Sequence, residues 1–255
     1  MIFKTKKISF YYEKYGNNTK TIVILPGWGN TRKTFDYFIY YLMNYYTIYI
    51  LDYPGFGLSN IPKEELTLDD YSISIKKWFE KEKIINPIII AHSFGGRITS
   101  LLVTKYNIKV DRILLIDVAG IKRRKTLKIF LKEKIYKFLK KIRVLLPKKL
   151  QKKYLSILIN YFSSNDYKEL PSNMKKTFQN IINLDLKNYY QKINNKVLII
   201  WGKDDQDTPL KDAYLLNKII KNSECIIYQK ASHYSYLKYP YLTLNIIISF
   251  CKEKE

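Results

Sequence analysis

Short runs of β-branched and aliphatic residues alternate along this chain with stretches whose apolar positions recur every three or four residues. Residues 7–15 alternate loosely between apolar and polar and predict a first strand. Residues 21–25 form a β-branched run stopped by Pro26-Gly27, and 47–51 form another, stopped by Asp52-Tyr53-Pro54-Gly55. Further strands are predicted at 88–91, 112–117, 197–201 and 224–228. Helical spacing marks 34–42, 68–81, the small and apolar stretch from Ser93 to about residue 104, and 242–250. Strands alternating with helices predict βα units and a mostly parallel sheet, and the unbroken apolar runs predict strands covered on both faces.

Between Gly120 and Asn195 the alternation stops and only helices are predicted, at 126–145, 149–161 and 172–182. This stretch reads as an insertion into an α/β core. In its first helix, Leu127, Phe130, Leu131, Ile135, Phe138, Ile142 and Leu145 form an apolar stripe, with Lys128, Lys132, Lys137, Lys140 and Lys141 largely between them. Two readings follow. Either the stripe packs over a site on the core and the lysines are merely solvated, or the cationic face docks an acidic carrier protein or an anionic lipid surface.

The 255 residues carry 45 Lys and Arg against 22 Asp and Glu, a net charge of +23. A chain rich in Lys, Ile, Asn and Tyr together has the composition that an AT-rich coding sequence imposes, so the excess alone decides little. Its distribution says more: residues 121–153 hold 15 cations and one acid, Glu133. No RNA-binding or zinc-finger signature accompanies them, so nucleic acid is not expected as a partner. Two cysteines, Cys225 and Cys251, and two histidines, all dispersed, argue against a disulfide framework and a structural zinc cluster, and no metal or cofactor is expected. No apolar run approaches the roughly 18 residues of a membrane span, and the first residues run into charge, so a cytoplasmic protein is expected.

The chemistry concentrates at Ala91-His92-Ser93-Phe94-Gly95-Gly96, a strand, a tight turn and a helix start. A serine on such a turn needs small residues two positions to either side, which Ala91 and Gly95 supply. The turn lifts the hydroxyl to the carboxyl edge of the sheet, where a helix N-terminus favours developing negative charge. The alternative is an ordinary serine N-cap. A serine hydroxyl needs a base. His92 adjoins Ser93 and is expected to point elsewhere, which leaves His233, in a loop after the strand 224–228. The acid that orients such a base is sought at the same edge. Asp204 and Asp205 follow the strand 197–201, Asp207 is a weaker candidate, and Asp117 competes from the loop after 112–116. The turn Pro26-Gly27-Trp28-Gly29 can aim a backbone N–H at the serine, to form with that of Phe94 a two-donor oxyanion hole. Gly27 to Thr34 also falls one residue short of a phosphate-binding P-loop, with Arg32 where the tight cradle needs glycine.

Together these segments resemble the α/β-hydrolase superfamily over nearly the whole chain. Leu25-Pro26-Gly27-Trp28-Gly29 is similar to its oxyanion turn, with Pro26 where His is usual. Asp52-Tyr53-Pro54-Gly55-Phe56-Gly57-Leu58-Ser59 resembles its loop after the fourth strand, and Ala91 to Gly96 its nucleophile elbow, with Ala91 in place of Gly. Trp201-Gly202-Lys203-Asp204-Asp205 with Pro209 resembles its acid loop, and Ala231-Ser232-His233 its histidine loop, with Ser232 in place of Gly. The resemblance implies a core of residues 1–120 and 191–255, with helices on both faces of a mostly parallel sheet, and a helical cap over 121–190. It picks Asp205 as the acid and Trp28 and Phe94 as the oxyanion donors. It implies a serine hydrolase in which Ser93, His233 and Asp205 cleave a carboxylic ester through an acyl-enzyme. Thioesterases, amidases and C–C bond hydrolases use the same residues, and a binding protein on an inactive hydrolase fold is a second alternative. The implied partner is a small-molecule or acyl substrate.

Overall fold

The computed structural model describes residues 1–122, 127–162 and 170–252. Eight strands form one sheet in the order β1-β2-β4-β3-β5-β6-β7-β8. They are β1 (Ile2–Lys4), β2 (Ser9–Tyr15), β3 (Thr21–Leu25), β4 (Thr47–Asp52), β5 (Ile88–His92), β6 (Arg112–Ile116), β7 (Lys196–Gly202) and β8 (Ser223–Tyr228). From β4 to β8 every neighbour is parallel, while β1 and β2 add an antiparallel edge. The single expected strand over 7–15 is therefore two. The chain turns through Thr5, whose hydroxyl accepts from the N–H groups of Lys7 and Ile8, and β1 pairs back on β2.

The period of two sorts the core. Val23 and Leu25 of β3, Ile89 and Ala91 of β5, and Ile113 and Leu115 of β6 face one apolar layer. Ile22, Ile24, Ile88, Ile90, Leu114 and Ile116 face the other. The first layer is closed by α2 (Leu68–Glu82) and α3 (Phe94–Thr104), and the second by α1 (Asp36–Leu42) and the C-terminal helix Pro240–Lys252. A capping box, Thr67 with Asp70, starts α2 one residue before its first apolar position. The helix then buries Leu68, Tyr71, Ile75, Trp78 and Phe79 at spacings of three and four.

Between β6 and β7 the described chain is helical, as expected: α4 (Leu127–Ile142), a 3₁₀ turn (Arg143–Leu145), α5 (Lys148–Phe162), α6 (Ser172–Ile182) and α7 (Lys187–Tyr190). The packed-down reading of the apolar stripe is corrected here. Leu131, Ile135, Phe138 and Leu145 are exposed and Ile142 is half-buried; the side chains at 127, 128, 130 and 132 lie outside the described residues. The faces of α4 and α5 that meet are instead marked by the Tyr154 hydroxyl, which donates to the Leu139 carbonyl, and by the Gln151 amide, which donates to that of Leu146.

Arg32, the residue that spoils the P-loop pattern, clamps the loop after β4. Its backbone N–H donates to Asp52 Oδ1 at 2.8 Å and its guanidinium to Asp52 Oδ2 at 3.1 Å, while its Nε reaches Glu13 at 2.7 Å. Asp52 is fully buried and also accepts from the Leu58 N–H. Gly57, at φ +53°, sits so close that a Cβ there would lie 2.2 Å from Asp52 Oδ2. Asp52→Ala would leave the guanidinium short of its buried partner. It is expected to cost on the order of 3 kcal/mol, read as a lower midpoint in urea unfolding; an unchanged midpoint would contradict the clamp.

Candidate active site

The carboxyl ends of β3, β5, β6, β7 and β8 bring five loops to one edge of the sheet. Ser93 sits between β5 and α3 at φ 47° and ψ −108°, a strained conformation for a residue with a side chain. Its N–H donates to the Ile116 carbonyl at 3.1 Å, and its own carbonyl accepts from Gly96 and Ala119 at 3.1 and 3.0 Å. These bonds hold the strain in place. The small neighbours are required by contact: a Cβ on Gly95 would lie 2.0 Å from the Leu25 carbonyl oxygen, and one on Gly96 would lie 2.5 Å from Val118. Close approach to β3 also brings the elbow up to the Gly27-Trp28-Gly29 turn that follows that strand.

His233 Nε2 lies 2.9 Å from Ser93 Oγ, and its Nδ1 lies 2.8 Å from Asp205 Oδ2. Carboxylate on one side and hydroxyl on the other assign the ring proton to Nδ1, leaving Nε2 to accept from Ser93. The three residues are 112 and 28 positions apart in the chain, and the fold brings them into one hydrogen-bonded line. Asp205 is buried, and its Oδ1 accepts from the N–H groups of Asp207 and Thr208, each at 2.8 Å. Its Oδ2 accepts from the Thr208 hydroxyl at 2.6 Å as well as from His233. Burial pushes its carboxyl up, but these bonds and the facing imidazole outweigh burial and hold it below the usual range. Burial likewise pushes the His233 imidazolium down, and the bond to and charge of Asp205 outweigh it, so this ring titrates above the ordinary 6.5.

The competing acids separate cleanly. Asp204 is exposed, and Asp207 gives Asp205 its N–H. Asp117, at φ 46°, is buried and joins two loops: its Oδ1 accepts from the Gly202 N–H at 2.8 Å, and its Oδ2 from the N–H and hydroxyl of Ser235 at 3.0 and 2.6 Å. Burial pushes its carboxyl up to about 7 against those bonds. Asp117 thus ties the acid loop to the histidine loop, its two oxygens bonded to Gly202 and Ser235 rather than to the imidazole.

His92 does point away from Ser93, yet it belongs to the site. Its Nε2 donates to the His233 carbonyl at 2.8 Å, and its Nδ1 accepts from Asn30 at 3.3 Å, while the Tyr234 hydroxyl donates to Asn30 Oδ1 at 3.0 Å. A Cβ on Gly27 would lie 2.8 Å from His92 Nδ1. Burial, then the nearby His233, push the His92 imidazolium down to about 3, so the ring is a fixed neutral strut between the Gly27–Asn30 turn and the His233 loop. Sequence reading missed His92, Thr208 and Ser235; adjacency to Ser93 and His233 was the one local signal for the first and last.

Above Ser93 opens a cleft of about 660 Å³, lined among others by Trp28, Phe94, Phe178, Ile181 and His233. The Trp28 ring stacks edge-on against Phe94 and leans on Phe178 of α6, with centroids 5.1 and 5.6 Å apart. Asp205, Asp207 and His233 each place one ligand atom within 4.8 Å of the others. The carboxylate and imidazole there are already bonded to each other, which is a proton-handling pair rather than an open coordination set.

A family model described as the alpha/beta hydrolase fold matches residues 20–240. A pimeloyl-[acyl-carrier protein] methyl ester esterase of Wigglesworthia glossinidia brevipalpis is 26% identical over 264 residues, covering 96% of this chain and 98% of that one. Among solved structures, an alpha/beta hydrolase enzyme from a Medee basin deep-sea metagenome library superposes with a TM-score of 0.77 at 20% identity, covering 100% of this chain and 98% of that one. An esterase from Exiguobacterium antarcticum superposes with a TM-score of 0.74 at 20% identity, covering 96% of each.

The geometry sets the acid limb of a pH profile. A base that works only when neutral loses activity as pH falls through its own pKa, so the rate should drop on acidification with a midpoint above 6.5. Asp205→Asn should move that midpoint down and lower turnover by about 10⁴, with Asp117→Asn far milder. Equal losses in the two variants, measured with any turned-over ester, would contradict the assignment.

Proposed function

The chain belongs to the alpha/beta hydrolase family, and within it we propose that the protein hydrolyses a carboxylic ester through an acyl-enzyme on Ser93. The observation that carries this is the line Ser93 Oγ–His233–Asp205, with bonds of 2.9 and 2.8 Å. His233 takes the serine proton as Oγ attacks the acyl carbon, and Asp205 stabilises the imidazolium that results. The N–H groups of Trp28 and Phe94 receive the oxyanion, Phe94 from the first turn of α3, where the helix dipole also favours negative charge. His233 then gives its proton to the leaving alcohol, and water, activated by the same ring, releases the acid and restores Ser93. Residues 121–190 act as a cap that closes the cleft with α6.

Aromatic and aliphatic walls support an acyl part that is apolar, and the carrier-linked methyl ester named for the relative supports an ester rather than an amide or C–C bond. The substrate is a small-molecule or carrier-bound acyl ester. A binding protein on an inactive fold is disfavoured by a base at hydrogen-bond distance from both its partners.

A fluorophosphonate is expected to label Ser93. Ser93→Ala should abolish both labelling and turnover of short-chain esters while leaving the urea midpoint close to that of the parent. Label mapped by mass spectrometry to another serine, or turnover surviving in Ser93→Ala, would overturn the proposal.

A further inference from the structure

The α4–α5 hairpin combines two properties that a solvated surface does not. From residue 134 to 162 it carries nine Lys and Arg and no acid. Over the same span, large apolar side chains stand in water: Phe138 is 65% exposed, Val144 71%, Leu145 83% and Ile157 57%. Of these four, the two most exposed occupy the 3₁₀ turn at the tip, between α4 and α5. Exposed lysines flank that tip on both sides, Lys140 and Lys141 before it and Lys148, Lys149 and Lys152 after it. Large apolar groups exposed next to one another, as Val144 and Leu145 are, mark an interaction surface.

We infer that the tip of this hairpin enters an anionic lipid surface, with Val144 and Leu145 among the acyl chains and the flanking lysines at the headgroups. The charge is complementary to anionic headgroups, and each lysine near the surface adds to the attraction. Lysine stems can lie along the apolar boundary while their ammonium groups stay wet. An acidic protein would answer the charge, but aliphatic side chains as exposed as Val144 and Leu145, at the turn of a hairpin, offer a folded partner little to close around; a fluid boundary accepts them. No helix of the described residues is long and apolar enough to cross a membrane, so this attachment is peripheral. It places the hydrolase where esters of low water solubility reside.

The test is co-sedimentation of the full chain with vesicles of phosphatidylcholine alone or mixed with phosphatidylglycerol. Binding is expected only to the mixed vesicles, weakening steeply with added salt because surface attraction is screened over roughly 8 Å at physiological ionic strength. Reversal of three charges, Lys148→Glu with Lys149→Glu and Lys152→Glu, should weaken it at least about 100-fold. Leu145→Asp should weaken it about 10-fold or more, and the fluorescence of Leu145→Trp should shift to the blue on mixed vesicles. None of these residues touches the cleft, so hydrolysis of a small soluble ester should not change. Two results would overturn the inference. One is loss on charge reversal with Leu145→Asp binding as well as the parent and Leu145→Trp emission unmoved, which is attraction without insertion. The other is no vesicle binding at low salt while an acidic acyl-carrier protein binds, which assigns the hairpin to a protein partner. Either would leave the ester-hydrolase reading standing, because labelling of Ser93 tests that separately.

Discussion

Everything at the proposed catalytic edge depends on one imidazole held between a buried carboxylate and a strained serine. His233 has to keep its proton on Nδ1 and its lone pair on Ser93, and a ring in a surface loop would do neither unaided. Asp205 fixes the tautomer, and Thr208 and the N–H groups of Asp207 and Thr208 keep Asp205 ionised although it is buried. Behind the ring, His92 holds the His233 carbonyl and Asp117 holds the next turn through Ser235. The two supports differ in kind. His92 is a neutral strut, because burial forbids it a proton near neutral pH, while Asp117 is a carboxyl taking N–H and O–H donors from the two loops that must stay in register.

The sheet makes this economical. Of the six parallel strands that end at one edge, five contribute one loop each to the site, so distances of 2.8 to 2.9 Å between residues up to 140 positions apart follow from strand pairing and not from long mobile segments. Gly95 against the Leu25 carbonyl and Gly27 against His92 show how tightly the loops are fitted. The same crowding that would reject a methyl group at those places leaves Ser93 little freedom to relax its φ of 47°.

Much of this was legible in the residues. The unbroken apolar runs located the parallel strands to within a residue or two, because strands buried on both faces leave no polar position to blur their ends. Two histidines in the chain reduced the search for a base to His233. What escaped was of two sorts. The edge strand Ile2–Lys4 is three residues long with only Phe3 buried, too short for a period to register. The roles of His92, Asp117 and Thr208 rest on contacts with distant segments, such as the 141 positions separating His92 from its partner, and periodicity carries no such information. The stripe on α4 shows the same limit from the other side. Its spacing announced an apolar face, but what covers that face is decided by tertiary packing, and in the folded chain Leu131, Ile135 and Phe138 remain exposed.

The central claim, that one histidine is a proton-accepting base held above its ordinary pKa while the other is a neutral strut, can be read directly because the chain has only two. With ¹⁵N placed in histidine alone, the ring nitrogens give two spin systems. One ring should titrate above 6.5 with its neutral-form proton on Nδ1, and the other should stay neutral with its proton on Nε2 down to about pH 5. Two rings titrating together near 6.5, or a titrating ring with its proton on Nε2, would contradict it.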